Sequence, residues 1–469
     1  MTRTNRKTRI ICTLGPATDS DEMLEAMVKA GANVFRLNMS HANHEWVRDV
    51  CPRIRTIASK LDEHVAILVD LQGPSIRTGD VESDLVLKKG CLVEFRKADS
   101  EPSLELSTTV NYVGLMADVT VGDKLIVDNG NLLMRIKKVS VDRIVCEVKT
   151  DGVMGSRRHI NLPGVRLNLP ALTRKDHLDL AVACDCAVDY IAGSFVRDAA
   201  HVRELQAAML EGGGDAQIIA KIEDQEAVRN IDDIIAAADV IMVARGDLGI
   251  EVNIEELPIL QRKIVRRCLQ LGTRVIVATH MLESMITNPL PTRAEVTDVS
   301  NAVFEEADSV MLSGETSVGK YPLECVEILD RISRRMERSG GMGFGKDAVL
   351  HSERQKTVKA AVQLVDSILD AQLVVFTRRG NMPVQAALLR PQSNIHAFAP
   401  NNATCRKVIL ARGVSARQIE FEDDFDALLR RAVDVLKAEQ VVKEDAPLVV
   451  ISDMGQRGEA VDSVLLIHA

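Results

Sequence analysis

Short aliphatic runs alternate along this chain with stretches of helical periodicity, and most of the runs stop at a polar or charged side chain. The runs are Arg9–Leu14, Asn33–Asn38, His64–Asp70, Val188–Ser194, Ala216–Ile222, Val240–Ala244, Arg274–Ala278 and Ser309–Leu312. Between them lie segments such as Ser20–Ala30, closed by Gly31, and Leu323–Arg338, with Val326, Leu329, Ile332 and Met336 on one helical face. A strand followed by a helix, repeated, forces a parallel sheet. Aromatics are only 3% of the residues, so the strands are built of Ala, Val, Ile and Leu, as strands buried on both faces are. Eight such units predict an α/β chain whose main body is a (β/α)₈ TIM barrel.

The alternation is interrupted once. From Gly73 to Leu172 the segments are short and alternating (Leu85–Leu87, Leu92–Phe95, Lys124–Val127, Ile144–Val148), with turns such as Asp128-Asn129-Gly130 between them. This predicts a small β-barrel lid domain inserted into the barrel. The expected layout is barrel over 1–72, lid over 73–172, barrel again over 173–339, and a C-terminal open α/β domain over 346–469. Ser339-Gly340-Gly341-Met342-Gly343-Phe344-Gly345 reads by composition as a flexible linker before the last domain. Strands there are expected at Leu373–Thr377, Ile395–Ala399, Leu448–Ile451 and Val464–Ile467.

A net charge of −9 argues against nucleic acid or an anionic membrane as a partner. An anionic substrate then needs a local pocket of cations or metal. The nine cysteines show no zinc-type pairing, and even Cys184-Asp185-Cys186 reads as reduced structural thiols of a cytoplasmic protein. The basic start (Arg3, Arg6, Lys7, Arg9) lacks the apolar stretch of a signal peptide, and no run reaches membrane-spanning length.

In such a barrel the active site lies at the C-terminal ends of the strands. Read in order, those ends offer Arg36, Asn38, Ser40 and His41, then Asp70, Ser194, Lys221 with Glu223, Arg245 with Asp247, Thr279 with His280, and Ser313 with Glu315. Solvated charge at strand ends explains any one of them, but not a cation, carboxylates and hydroxyls around one mouth. Phosphoryl transfer needs charge neutralisation and positioning. Arg36 and Lys221 suit the phosphoryl oxygens, and Glu223 and Asp247 suit Mg²⁺. Backbone N–H groups at Gly246 and Asp247 suit a carboxylate. Asn38, Ser40 and Asp70 offer hard oxygens for a monovalent cation.

These residues resemble the pyruvate kinase family over essentially the whole chain. The resemblance is carried by Phe35-Arg36-Leu37-Asn38-Met39-Ser40-His41, Asp70-Leu71-Gln72-Gly73-Pro74, Lys221-Ile222-Glu223, Ala244-Arg245-Gly246-Asp247-Leu248-Gly249, Thr279 to Met285, Pro291 to Glu295 and Met311 to Thr316. It implies Mg²⁺-dependent (or Mn²⁺-dependent) phosphoryl transfer from phosphoenolpyruvate to ADP, giving pyruvate and ATP, with K⁺ at Asn38, Ser40, Asp70 and the Leu71 carbonyl. It implies Lys221, Arg36, Thr279, Ser313 and Glu315 as catalytic residues. Arg36, Lys221, Ser194, Gly246, Asp247 and Thr279 are then the substrate contacts. Asn38, His41, Arg77, Arg157 and Arg158 are the nucleotide contacts. A homotetramer, and a phosphorylated effector at the C-terminal domain, are also implied.

The pattern departs from the family in places. Ser75 stands where the family has Glu or Lys, and His280 where it has Gln. The loop Thr377-Arg378-Arg379-Gly380-Asn381-Met382 ends in Met rather than Ser or Thr, and the stretch Asp453 to Asp462 lacks the Gly-x-Thr-Asn pattern. The alternatives are another Mg²⁺ barrel enzyme acting on phosphoenolpyruvate or pyruvate, against which the inserted domain and Arg77 argue, and a silent metabolite sensor, against which the intact charged set argues.

Overall fold

In the computed structural model, which describes residues 6–422, 424–452 and 462–469, the eight aliphatic runs form one closed barrel. Its strands are Arg9–Thr13, Val34–Asn38, Ala66–Asp70, Tyr190–Gly193, Gln217–Ile222, Val240–Ala244, Arg274–Ala278 and Ser309–Leu312. We number these barrel strands one to eight. All are paired in parallel, in chain order, and strand eight closes on strand one. Local chemistry sets the helices between them. Ser20 caps Asp21–Ala30 by accepting from the Met23 N–H, and Gly31, at φ 115°, ends it. Thr173 and Asp176 form a capping box at the start of Arg174–Asp185.

Ile11, Val34, Leu68, Tyr190, Ile219, Met242, Ile276 and Met311 fill the barrel interior. Two residues of the C-terminal region, Ile409 and Leu410, join that cluster from below. The Tyr190 hydroxyl reaches the Lys407 carbonyl at 2.7 Å, and Arg390 makes an ion pair at 2.9 Å with Asp308, both almost wholly buried. The 339–345 stretch does not behave as a free linker. Phe344 is buried, its N–H donates to Glu306 at 3.0 Å, and Gly345 is buried with a Cβ there falling 3.0 Å from the Leu388 carbonyl oxygen.

The inserted segment is all-β apart from one four-residue helix. It comprises a six-stranded sheet and a two-stranded ribbon around a separate apolar core that includes Phe95, Leu125, Ile136 and Met154. Among the described residues the C-terminal sheet has five strands in the order 414–418, 395–399, 372–376, 447–452, 463–468, the last one antiparallel. One of these, Val414–Gln418, was not expected: its half-polar sequence Val-Ser-Ala-Arg-Gln is that of an edge strand, without an aliphatic run. The stretch Asp453 to Asp462, apart from its final residue, lies outside the described residues. Among the described residues no helix is long and apolar enough to cross a membrane.

Candidate active site

Because the strands are parallel, all their C-terminal ends open on one face, and the side chains there converge. Lys221, near the end of strand five, lies at the centre. Its Nζ donates to Ser194 Oγ at 2.6 Å and lies 3.0 Å from Glu223 and 3.3 Å from Asp70. Burial alone lowers the pKa of an ammonium; Asp70 and Glu223 override that and raise it, so Lys221 is charged at any working pH. Arg36 is held by Asp70 at 2.7 Å and by the Thr13 hydroxyl at 2.9 Å. Burial pushes the Asp70 carboxyl up, but Lys221 and Arg36 pull it below its ordinary value. One carboxylate at the end of strand three thus aligns both cations.

Glu223 is the opposite case. It is 1% exposed, and its carboxyl is pushed up to about 7, first by burial, with Lys221 opposing and the negative charge of Asp247 adding to it. Its second oxygen accepts the Phe195 N–H at 2.5 Å. Asp247, at the start of the helix Arg245–Glu251, is one-third exposed, with His159 of the inserted domain 4.0 Å away. Two carboxylates that repel each other from consecutive strand ends, one with its pKa raised by burial and by the other's charge, form a donor pair that a divalent cation relieves. That fits the coordination habit of Mg²⁺, which takes one or two carboxylates and fills its other positions with water and substrate phosphate. Among the described residues there is no cluster of three His, Cys, Asp or Glu that could cage a metal.

Strand seven ends in strain. Thr279 and His280 have φ of 67° and 54°, a region costly for a β-branched residue. Two struts hold them there. The Gly246 N–H donates to Thr279 Oγ1 at 2.7 Å, and Arg245 donates to the Ala278 and Thr279 carbonyls at 3.0 and 2.6 Å. Arg245 therefore points away from the mouth and is paired with Asp298 at 2.6 Å. Glu315 is also beneath the surface. It is fully buried and accepts the Leu282 and Ser313 N–H groups at 3.0 and 2.7 Å, tying the turns after strands seven and eight. Ser313 Oγ is buried without a hydrogen-bond partner.

On the other side of the mouth is a cavity of about 850 Å³ lined by Thr13, Pro16, Arg36, Asn38, His41 and Trp46, among others. Asn38 accepts the Ser40 N–H at 3.1 Å, Ser40 is exposed, and the Leu71 carbonyl accepts from Ser194 at 2.7 Å. Thr13 and Trp46 escape a reading of strand-end charges, because neither is charged; that Trp46 is the chain's single tryptophan was the signal available. The lid arginines do not line this cavity. Arg157 pairs with Asp80 at 2.8 Å, Arg158 with Asp128 at 3.3 Å, and Arg77 donates to Ser75 and to the Arg157 carbonyl at 3.2 and 3.1 Å. Two other lid residues, His159 and Asn161, meet the barrel instead. Asn161 donates to Glu251 at 3.1 Å, and burial pushes that carboxyl up to about 7.

Residues 5–326 match the barrel domain of pyruvate kinase and residues 355–467 its alpha/beta domain. The chain is 40% identical over 466 residues to pyruvate kinase of Geobacillus stearothermophilus, covering 95% of this chain and 77% of that one. It is 38% identical over 456 residues to plastidial pyruvate kinase 3 of Arabidopsis thaliana, covering 96% and 79%. A pyruvate kinase crystal structure from Cryptosporidium parvum superposes with a TM-score of 0.94 at 30% identity, over 99% of this chain and 96% of that one. With this mouth and these relatives, the chain belongs to the pyruvate kinase family, divalent-metal-dependent phosphotransferases that convert phosphoenolpyruvate and ADP to pyruvate and ATP in glycolysis.

Proposed function

We propose that Lys221 carries the phosphoryl transfer, and the observation behind this reading is its Nζ, held by three groups at the centre of the mouth. Phosphoenolpyruvate binds with its phosphoryl oxygens on Arg36 and Lys221, beside Ser194. Its carboxylate meets the Asp247 N–H and, in exchange for the Thr279 hydroxyl that this group meets in the free protein, the Gly246 N–H. The cation pair acts most strongly when charge spreads over the phosphoryl group in flight. Glu223 and Asp247 hold Mg²⁺ or Mn²⁺, which supplies charge neutralisation for the phosphoryl and enolate oxygens when bound. Thr279 and Ser313 belong to the path that protonates enolpyruvate, and Glu315 keeps their two turns in register.

ADP occupies the cavity beside Asn38 and His41, with the Trp46 ring available to its base. Arg77, Arg157 and Arg158 approach the nucleotide phosphates as residues 73–172 close as a lid, exchanging Asp80 and Asp128 for phosphate. Closure excludes water and limits wasted hydrolysis. The barrel parts, 1–72 and 173–339, and the C-terminal part, 346–469, complete the layout. We place the enzyme in the cytoplasm as a homotetramer, with a phosphorylated effector at Arg378 and Arg379.

K⁺ at Asn38, Ser40, Asp70 and the Leu71 carbonyl follows from charge. Ser75 supplies no ammonium near Asp70, and its hydroxyl faces Arg77. The test is a coupled pyruvate assay with ADP and Mg²⁺ present or omitted. Pyruvate formation is expected to require both and to be stimulated by K⁺, and Ser75→Lys is expected to reduce that stimulation. Equal rates in K⁺ and in a bulky organic cation at matched ionic strength would show that the monovalent site is not used. Adding fructose 1,6-bisphosphate to the same assay is expected to give no activation. Met382 is buried and cannot donate to phosphate. A leftward shift of the phosphoenolpyruvate curve at micromolar bisphosphate would contradict this.

A further inference from the structure

Asp176 is 0% exposed and has no part in the chemistry described so far. Its partners are three N–H or O–H donors, none of them a cation. Oδ2 accepts the Thr173 N–H at 2.7 Å and the Thr173 hydroxyl at 2.6 Å. Oδ1 accepts the Gly73 N–H at 3.0 Å. Gly73 and Thr173 stand at the two places where the chain passes between the barrel and the inserted domain. One carboxylate therefore pins both crossings, 103 residues from the first of them.

What Gly73 touches gives this pin a second consequence. Its φ is +70°, and a Cβ there would lie 2.8 Å from Ser194 Cβ, 3.0 Å from the Ser194 carbonyl oxygen and 3.2 Å from the Phe195 ring. The Ser194-Phe195 turn after strand four is what Gly73 packs on. That turn holds both halves of the candidate site, since Ser194 Oγ receives Lys221 and the Phe195 N–H donates to Glu223. Phe195 itself has a φ of 55°, a strained conformation for a bulky residue that must be held by its surroundings.

We infer that Asp176 is a positioning residue: by holding Gly73 against the Ser194-Phe195 turn it sets where Lys221 and Glu223 sit. This rests on the reading that Lys221 and Glu223 carry the reaction. The position calls for an acceptor-only group. A carboxylate can take all three donors, whereas the isosteric amide must turn its NH₂ toward the Gly73 or the Thr173 N–H. The Thr173 pair fixes one oxygen, so the NH₂ of Asp176→Asn meets the Gly73 N–H, breaks that hydrogen bond and frees Gly73 from its place on the turn.

The test combines Asp176→Asn with Gly73→Ala, which disturbs the same Gly73 contact from the other end of the link. The measurements are kcat, KM for phosphoenolpyruvate, and the Kd of the full-length protein for Mn²⁺ alone by electron paramagnetic resonance. Asp176→Asn is expected to lower kcat about tenfold or more, the scale at which small misplacements act, to weaken Mn²⁺ severalfold, and to change KM much less. Gly73→Ala is expected to do the same, and the double variant to be no worse than the weaker single one, because both break one link. A purely structural role would lower thermal stability and leave Mn²⁺ affinity alone. Asp176→Asn with wild-type kcat and Mn²⁺ affinity, or losses that multiply in the double variant, would overturn the inference. If Asp176→Asn does not fold, wild-type Mn²⁺ affinity in Gly73→Ala does the same. Lys221→Met separates the two readings. A dead Lys221→Met beside an unaffected Asp176→Asn removes only this inference, whereas an active Lys221→Met removes the site assignment beneath it.

Discussion

Lys221→Met is expected to lower kcat by about a thousandfold or more while KM for phosphoenolpyruvate moves less than about tenfold. Methionine keeps the length and removes the charge. Loss of one well-placed electrostatic contact to a transition state costs about 10²–10³ in rate. Lys221 exceeds an average contact because it also compensates Asp70 and Glu223, which are each 1% exposed. Without the ammonium, Glu223 is pushed further toward its protonated form, so part of the loss reaches metal binding. Steady-state kinetics at several metal concentrations separate the two parts. An interaction made mainly in the transition state lowers kcat and kcat/KM together. A variant with normal kcat and a raised KM would mean that Lys221 only binds the ground state.

Stripping the divalent metal with a chelator is expected to abolish activity, and rebinding it below about pH 7 is expected to release a proton. The carboxyl of Glu223 stands at about 7 in the metal-free protein, against an ordinary 4.5. Metal ligates the carboxylate, so as pH falls through 7 the ion must displace a proton and its apparent affinity drops. Stability follows the opposite sense in the metal-free protein. Between the unfolded value near 4.5 and the folded value near 7, the native state holds the extra proton, so stability from this group is present at low pH and is lost as pH rises through that window. Added metal should therefore raise the melting temperature more at pH 8 than at pH 5.5. Titration calorimetry in buffers of different ionisation heat measures the proton directly, and Glu223→Gln is expected to remove it. Proton-free metal binding at pH 6.5 in the native enzyme would contradict this account.

The barrel was legible because its strands are aliphatic runs separated by stretches of helical periodicity, and the candidate site was legible because parallel strands bring their ends together. Orientation was not legible. Arg245 and Glu315 stand at strand ends like Lys221 and Glu223, yet they face inward and hold turns, because backbone carbonyls and N–H groups there need partners that only the folded chain defines. The lid arginines were marked by charge alone, and nothing local shows that Asp80 and Asp128 claim two of them. Asp176 was invisible for a similar reason. As a helix-capping residue it looks complete, and its third hydrogen bond comes from across the fold. The glycine-rich stretch reads as free by composition, whereas the burial of Phe344 and its bond to Glu306 anchor its end.

The presence of Ile409 and Leu410 among the side chains that fill the barrel also bears on how this enzyme can be altered. The C-terminal domain is not an accessory that deletion could strip away to leave a smaller working barrel. Cutting the chain after residue 339 would uncork the lower end of the barrel, open the strand bottoms to water and leave Asp308 without Arg390. For the same reason, neither the barrel nor the C-terminal domain can be exchanged without recutting the stopper to fit.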